Sequence, residues 1–502
     1  MLNKRVIWLI IAVVLGMGLY IVLAAGQSQA GFPLDDAWIH QTYARNLVRS
    51  GRWEFVPGVV SAGSTAPLWT LLLALGYLLH LPYLGWTYGL GGLSLLWLAW
   101  AGMQVWRLLW PTFAESDWIA GLVLVLLWPL IWAAVSGMET LLFAAIGLQV
   151  VALALQATIR PRQLGGMGFL CGLLVLTRPD GVVLVLLVVI QLLVNRWHEK
   201  NISSLLFDFL MLGIAVVIPL LPYFFFNLNA SGTIWPNTFY AKQAEYGVAL
   251  AQPFLLRVWQ LLFFSLGGSQ GSPHVMLVPG LVWAGWLALQ RDWREKCLMR
   301  LLPLLWAGGH VILYAWRLPV VYQHGRYLLP AIPIWVLYGL AGWRIFFHRL
   351  SDNKLFKLGK LAANLSFSII MVIFLFLGAL NAYANDVAFI EGEMVTVARW
   401  LRDNTSEDAL IASHDIGAIG YFAERPLLDL AGLISPEVIE FIADDEAISH
   451  YILDSDADYL VTAPGWPYID VAVAENVRME YSTNYDWTRE QGLNNMTVFL
   501  LP

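Results

Sequence analysis

Apolar runs of about twenty residues alternate with short polar connections over the first 384 residues, and then the pattern changes. A membrane span needs about 20 apolar residues. Such runs fall near 6–26, 83–106, 118–135, 139–158, 164–178, 181–195, 203–226, 273–290, 299–316, 328–347 and 361–384, which predicts about 11 transmembrane helices. Two further runs, Pro67–His80 and Pro253–Leu266, are shorter and rich in Leu and aromatics, as expected of helices lying along a membrane interface. From about residue 385 charged residues become frequent and the apolar runs shrink to strand length, as in ALIAS, DYLVTA and MTVFLL. Between them lie the helix-like stretch Glu391–Arg402 and turn signals such as DNTSED and APGWP. The pattern therefore predicts an α-helical multi-pass membrane domain, 1–384, with a first outer loop at 27–82. A small α/β domain, 385–502, follows.

Charge adds orientation. The most basic short connections are Arg160–Arg162, Asn195–Lys200, Arg291–Arg300 and His348–Lys360. Lys and Arg concentrate in cytoplasmic loops, and all four connections fall on that side if the amino terminus starts there. The C-terminal domain is then exoplasmic, provided that neither short run crosses. The same parity puts LDDAWIHQTYARN, SGMET, TRPDG, PNTFYAK and QHGRYLLP on the outer face of a plasma membrane protein. Composition agrees: 59% of the 502 residues are hydrophobic and 13% charged, which excludes an ordinary soluble domain. A net charge of −6 gives no sign of nucleic-acid binding, and two cysteines make neither a disulfide framework nor a thiolate metal site. Val6–Ala25, behind Lys4 and Arg5, is expected to be a retained span, not a cleaved leader.

The outer motifs carry the candidate chemistry. Asp35 and Asp36 stand at the start of a predicted helix reaching about Arg49. Either acid can serve merely as a helix cap or first-turn acid. Yet Asp36, His40, Tyr43 and Leu47 recur at helical spacing, so one face mixes a carboxylate with hydrogen-bonding groups. Glu139 lies at the outer mouth of a span, where acids are costly. Arg178 in LTRPDG can pair with Asp180. Lys242 in PNTFYAK, and His324 and Arg326 in QHGRYLLP, are cations on the face that the positive-inside rule disfavours. Several together call for an anion, and a phosphate headgroup is the natural one. No HExxH, CxxC pair, EF-hand loop, GxSxG elbow or Walker A loop is present.

In order along the chain, DDAWIHQTYARNLVRSG, VPGVVSAGSTAPLW, SGMET, LTRPDG, PNTFYAK, HGRYLLP and DIGAIGYFAERPLLDLAGL resemble the GT-C superfamily of integral-membrane glycosyltransferases. The resemblance is to the branch that includes bacterial arabinofuranosyl-, mannosyl- and aminoarabinose-transferases using polyprenyl-phosphate sugars. It departs at Val56-Pro57-Gly58, where the family usually has Asn-Pro-Gly, and at Ala62-Gly63-Ser64-Thr65, which leaves sugar and acceptor open. The resemblance implies a GT-C fold and an inverting transfer of a monosaccharide from a polyprenyl-phosphate donor to a hydroxyl on a glycan, lipid or protein. It gives Asp36 the role of catalytic base, with Asp35 close second, and Glu139 that of orienting acceptor or sugar. Lys242, Arg326, His324 and Arg178 become candidates for the donor phosphate, with His40, Tyr43 and Arg45 as further donor contacts. No cofactor is indicated. One alternative is an oligosaccharyltransferase or O-antigen-ligase-like enzyme using a lipid diphosphate, for which Asp35, Asp36 and Glu139 together would hold a divalent metal. Another is a transporter or sensor with an exoplasmic solute-binding domain, which expects repeated halves or ionisable residues within the spans.

Overall fold

A computed structural model describes residues 4–156, 161–197, 202–268, 271–350, 354–474 and 476–502. Arg160, residues 198–200 and residues 351–353, parts of three of the basic connections, lie outside the described residues. A helix, straight or bent, occupies each of the 11 apolar intervals. By length and hydropathy four described helices qualify as spans: Lys4–Gln27, Leu205–Ser231, Tyr322–Arg349 and Lys354–Asn404. The bent pair Pro111–Leu126 and Trp128–Val135 makes a fifth if it is one broken span. Its 59° bend falls where Leu127 is extended and Pro129 opens a new helix. Thr140–Ala154 is too short to qualify because its 15 residues rise only about 22 Å, and nearly all of them are buried among other helices.

The two short runs form the helices Pro67–Leu78 and Phe254–Ser265, 12 residues each. Each rises about 18 Å, less than the roughly 30 Å hydrocarbon core. The helix beginning at Lys354 does not stop at residue 385. It continues for 51 residues to Asn404, with π-helical turns at Gly378–Ala384 and Ile390–Val395. The compositional boundary thus falls inside one continuous helix.

The C-terminal sheet has the order β2-β1-β3-β5-β4, with β1 Ile411–Ser413, β2 Leu427–Asp429, β3 Tyr459–Thr462, β4 Arg478–Ser482 and β5 Thr497–Leu500. Strands β2, β1 and β3 are parallel, and β5 and β4 antiparallel. ALIAS, DYLVTA and MTVFLL supply β1, β3 and β5. Strands β2 and β4 escape the sequence pattern because β2 has only two apolar residues before the charged Asp429 and the edge strand β4 is largely exposed.

Candidate active site

Helix Asp35–Ser50 begins after an extended Leu34, and neither carboxylate caps it. Each reaches elsewhere instead. Asp35 accepts backbone N–H bonds from Ala418 and Gly417 of the C-terminal domain, both at 2.7 Å. Burial and then Asp415 push its carboxyl up to about 7, against the pull of those two N–H groups. Asp36 accepts a bond from Arg326 Nη2 and lies 3.8 Å from Lys242 Nζ. Burial alone would push Asp36 up, but Arg326 and Lys242 outweigh it and hold the carboxyl well below the usual carboxylate range.

Tyr327, the residue after Arg326 in QHGRYLLP, ties the cations together. Its hydroxyl accepts from Lys242 Nζ at 3.1 Å and from Arg326 Nη2 at 3.0 Å. Its ring is faced by three cations: Arg326 at 4.9 Å, Arg178 at 5.4 Å and Lys242 at 5.7 Å from the centroid. Arg326 Nε and Nη1 are buried and have no partner among the described residues, so three N–H groups on two nitrogens remain for an anion. The turn before Arg326 is strained. Gln323 and His324 both adopt left-handed φ, 51° and 59°, and Gly325 follows at 67°. Non-glycine residues there cost of order 1 kcal/mol each and recur at functional sites.

Beneath this cluster lies a second network. Arg178 donates to Glu139 at 2.8 Å, to Tyr314 Oη at 2.5 Å and to Asp180 at 3.2 Å. The predicted Arg178–Asp180 pair forms, and Glu139 joins it. His40 Nε2 faces Glu139 Oε2 at 3.5 Å. His310 Nε2 bonds the Tyr327 carbonyl at 2.7 Å, linking the floor to the cation cluster. Asp180, Tyr314 and His310 are partners that sequence reasoning did not assign to a site. Asp180 alone had a local signal, its place beside Arg178.

Loop contacts position Lys242. Pro236 is extended and Asn237–Glu245 is helical. Asn237 N–H donates to Ala62 O at 2.9 Å, Thr238 Oγ1 to Gly63 O at 2.5 Å, and Asn237 Nδ2 to Leu433 O at 3.3 Å. PNTFYAK thus clamps the loop at 62–63 to the C-terminal domain and points its lysine at Asp36. Leu433 is fixed in turn by Asp429, whose carboxylate accepts N–H bonds from Ala431 at 2.9 Å and Ile434 at 2.7 Å.

Other candidates lie apart. Tyr43 is fully buried, with its hydroxyl on Ser61 Oγ at 2.7 Å and accepting from Gly63 N–H at 3.1 Å. Arg45 faces the C-terminal domain, donating to Tyr421 O at 2.6 Å and pairing with Glu424 at 2.7 Å. His324 pairs with Asp386 at 2.6 Å between Trp128 and Trp132. None of these three lines either cavity described next.

Two cavities meet at Asp36, Lys242, Arg326 and Tyr327. The first, about 340 Å³, has the Glu139–Arg178 network on one side and an apolar wall that includes Trp235, Phe239 and Trp316. The second, about 820 Å³, opens between the loops of the membrane domain and the C-terminal domain. Asp35 lines only the second and Glu139 only the first. These two and Asp36 do not gather as a ligand set, and among the described residues no three His, Cys, Asp or Glu side chains are placed to hold a metal.

The fold is shared with known membrane enzymes. ArnT from Cupriavidus metallidurans superimposes with a TM-score of 0.62 at 15% identity, over 99% of this chain and 98% of that one. The same enzyme bound to undecaprenyl phosphate gives 0.63 at 15% identity, over 98% of each chain. The Archaeoglobus fulgidus oligosaccharyltransferase AglB, in complex with an inhibitory peptide and a dolichol-phosphate, gives 0.55 at 10% identity, over 91% of this chain and 69% of that one. Both relatives are GT-C membrane enzymes, and the chain has the GT-C fold. Residues 384–499 match a domain of unknown function, DUF8728. Comparison with curated protein sequences finds no match.

Proposed function

We propose that the chain is an inverting glycosyltransferase that moves a monosaccharide from a polyprenyl-phosphate donor to a hydroxyl acceptor at the outer face of the membrane, with Asp36 as base. One observation carries this reading: Asp36 and its two cations stand on the wall common to both cavities. A donor in the first cavity and an acceptor in the second would meet there. The lipids bound in two of the structural relatives, undecaprenyl phosphate and dolichol-phosphate, support a lipid phosphate as the anion.

The acceptor oxygen attacks the anomeric carbon while the bond from that carbon to the phosphate oxygen breaks. The electron pair leaves with the phosphate, where Arg326 and Lys242 stabilise it. The acceptor proton passes to Asp36. With one base and no second carboxylate acting as nucleophile, displacement is direct and the anomeric configuration inverts. Glu139, fixed by Arg178 and His40, orients the sugar. Trp235, Phe239 and Trp316 offer the lipid chain an apolar wall.

The ion pairs suggest how the base is released. While Arg326 and Lys242 hold Asp36, it is a weak base. A donor phosphate draws both cations toward itself, and Asp36 becomes more basic as the donor seats. The test is transfer by the purified protein in lipid nanodiscs, using a panel of radiolabelled polyprenyl-phosphate monosaccharides and cell-envelope extract as acceptor. One donor should label the extract and release polyprenyl phosphate, with the configuration inverted. Labelling only from lipid-diphosphate oligosaccharides would overturn the proposal, as would retention of configuration.

A further inference from the structure

The second cavity shows what kind of acceptor it admits. Five carboxylates line it, Asp35, Asp36, Glu245, Asp386 and Asp415, against Lys242, Arg326 and His414. Even with Asp35 protonated and the imidazole charged, four carboxylates outnumber three cations, so the lining is net negative. Lys242, Arg326 and Asp36 form the node shared with the first cavity, so the part facing the C-terminal domain is more acidic still. These acids are pinned. Asp35 is held by Gly417 and Ala418, Asp386 by His324 and Trp132. Asp415 and Glu245 hold His414 from two sides, at 3.0 and 3.4 Å. The field is thus built into the fold and cannot relax by rotating side chains away.

Aromatic groups complete the wall. Phe389, Trp466 and Trp487 come from the C-terminal domain, with Tyr246 and Tyr322 facing the cavity from the membrane-domain side. Trp466 is backed by a stacked Phe389, and Trp487 by a stacked Tyr485. Flat rings beside fixed hydrogen-bond acceptors suit the apolar face and the hydroxyls of a sugar ring. About 820 Å³ is more space than one sugar fills, and lies toward the upper end of small-molecule sites.

Resting on the proposed transferase reading, we infer that the acceptor is a glycan of two or more sugar residues without net negative charge, seated in this cavity against Trp466 and Trp487. The two substrates are then sorted by charge. The anionic donor is drawn to the cations of the first cavity, and an anionic acceptor is repelled by the acids of the second.

The test is equilibrium binding to the full-length protein in nanodiscs, read by tryptophan fluorescence and by calorimetry. The probes are neutral tetrasaccharides (mannan, arabinan and glucan fragments), oligogalacturonate of equal length and a lysine-rich peptide. At least one neutral tetrasaccharide should bind ten-fold or more tighter than oligogalacturonate. Trp487→Ala and the milder Trp466→Phe should each weaken that binding at least five-fold. Glu245→Gln with Asp415→Asn should narrow the gap to the anionic glycan. Equal or tighter binding of oligogalacturonate, no binding by any neutral glycan, preference for the peptide, or indifference to both tryptophan variants would each overturn the inference. Undecaprenyl phosphate binding is measured on the same preparations. If it persists and Asp36→Asn abolishes transfer while glycan selectivity fails, the transferase reading stands and the acceptor inference falls.

Discussion

Asp36→Asn removes a charge and a proton acceptor while keeping the size of the side chain. The two losses act in opposite directions on two measurable quantities. A general base is worth about 10²–10⁴ in rate, so turnover should fall by that factor. Binding of the lipid phosphate should move the other way. Lys242 Nζ lies 3.8 Å from the carboxylate and Arg326 closer. A pair near 4 Å is worth about 4 kcal/mol at an effective dielectric of about 20. A phosphate entering the wild-type site must share those cations with Asp36, and in the variant it need not. Solvent reaches this pair, since both partners are about a quarter exposed. If about 1.4 kcal/mol of the competition survives screening, undecaprenyl phosphate binds roughly tenfold tighter to the variant. Single-turnover transfer gives the rate, and calorimetry in nanodiscs gives the affinity. A rate loss smaller than tenfold removes Asp36 as base. Weaker binding of undecaprenyl phosphate refutes the competition for cations.

Arg326→Lys keeps the charge but loses the planar fork and the orphan Nε donor, so undecaprenyl phosphate should bind about tenfold more weakly; an unchanged isotherm takes Arg326 out of the phosphate site. Arg178→Ala leaves Glu139 and Asp180 without their shared cation. The expected loss is about 3–5 kcal/mol, seen as a lower Tm that Arg178→Lys partly restores; an unshifted Tm shows that the network is not structural. Asp35 has a folded-state value near 7, above the ordinary carboxylate value. The folded protein therefore keeps a proton that the unfolded chain releases from about pH 4 upward. That contribution is complete below pH 4 and is lost as pH rises through 7, so Tm should decline over that window and the decline should flatten in Asp35→Asn. An identical pH profile in both proteins rejects this linkage.

Much of this arrangement can be read from the sequence, for identifiable reasons. The helices announce themselves because burial in lipid or in a helical bundle requires long apolar runs. Asp36, Lys242, Arg326, Glu139 and Arg178 stand out because charge is scarce in such a chain, and the fold brings all five around one cavity. Tyr327, Tyr314 and His310 do not stand out, since a lone tyrosine or histidine within or beside an apolar run is ordinary and only tertiary contact reveals what it holds. Tyr43 and Arg45 show the opposite failure. They share a helix with Asp36, but side chains seven and nine positions on turn toward Ser61 and Tyr421, where protein groups engage them. His324 lies two residues from Arg326, yet the left-handed turn between them sends it to Asp386. Helical period and proximity in sequence say which residues are near one another, not which way a strained turn aims them.

The adjacent acids at the head of the second helix take different tasks. Asp35 is gripped by two backbone N–H groups of the C-terminal domain, and Asp36 by two cations of the membrane domain. Neighbours in one helical turn therefore bind two different bodies. Any displacement of the C-terminal domain would pull on Asp35 and shift Asp36 through the backbone between them. Gly417 permits this grip, because a Cβ there would meet the Asp35 carboxylate at 2.6 Å. The same domain supplies Leu433, which lines both cavities and accepts from Asn237 at the base of the Lys242 helix. Asp36 and Lys242 are thus both referenced to the domain that walls the larger cavity. On the proposed reading, an acceptor seated there would set the position of Asp36 relative to the hydroxyl that it deprotonates, which gives the paired carboxylates a physical reason to be adjacent.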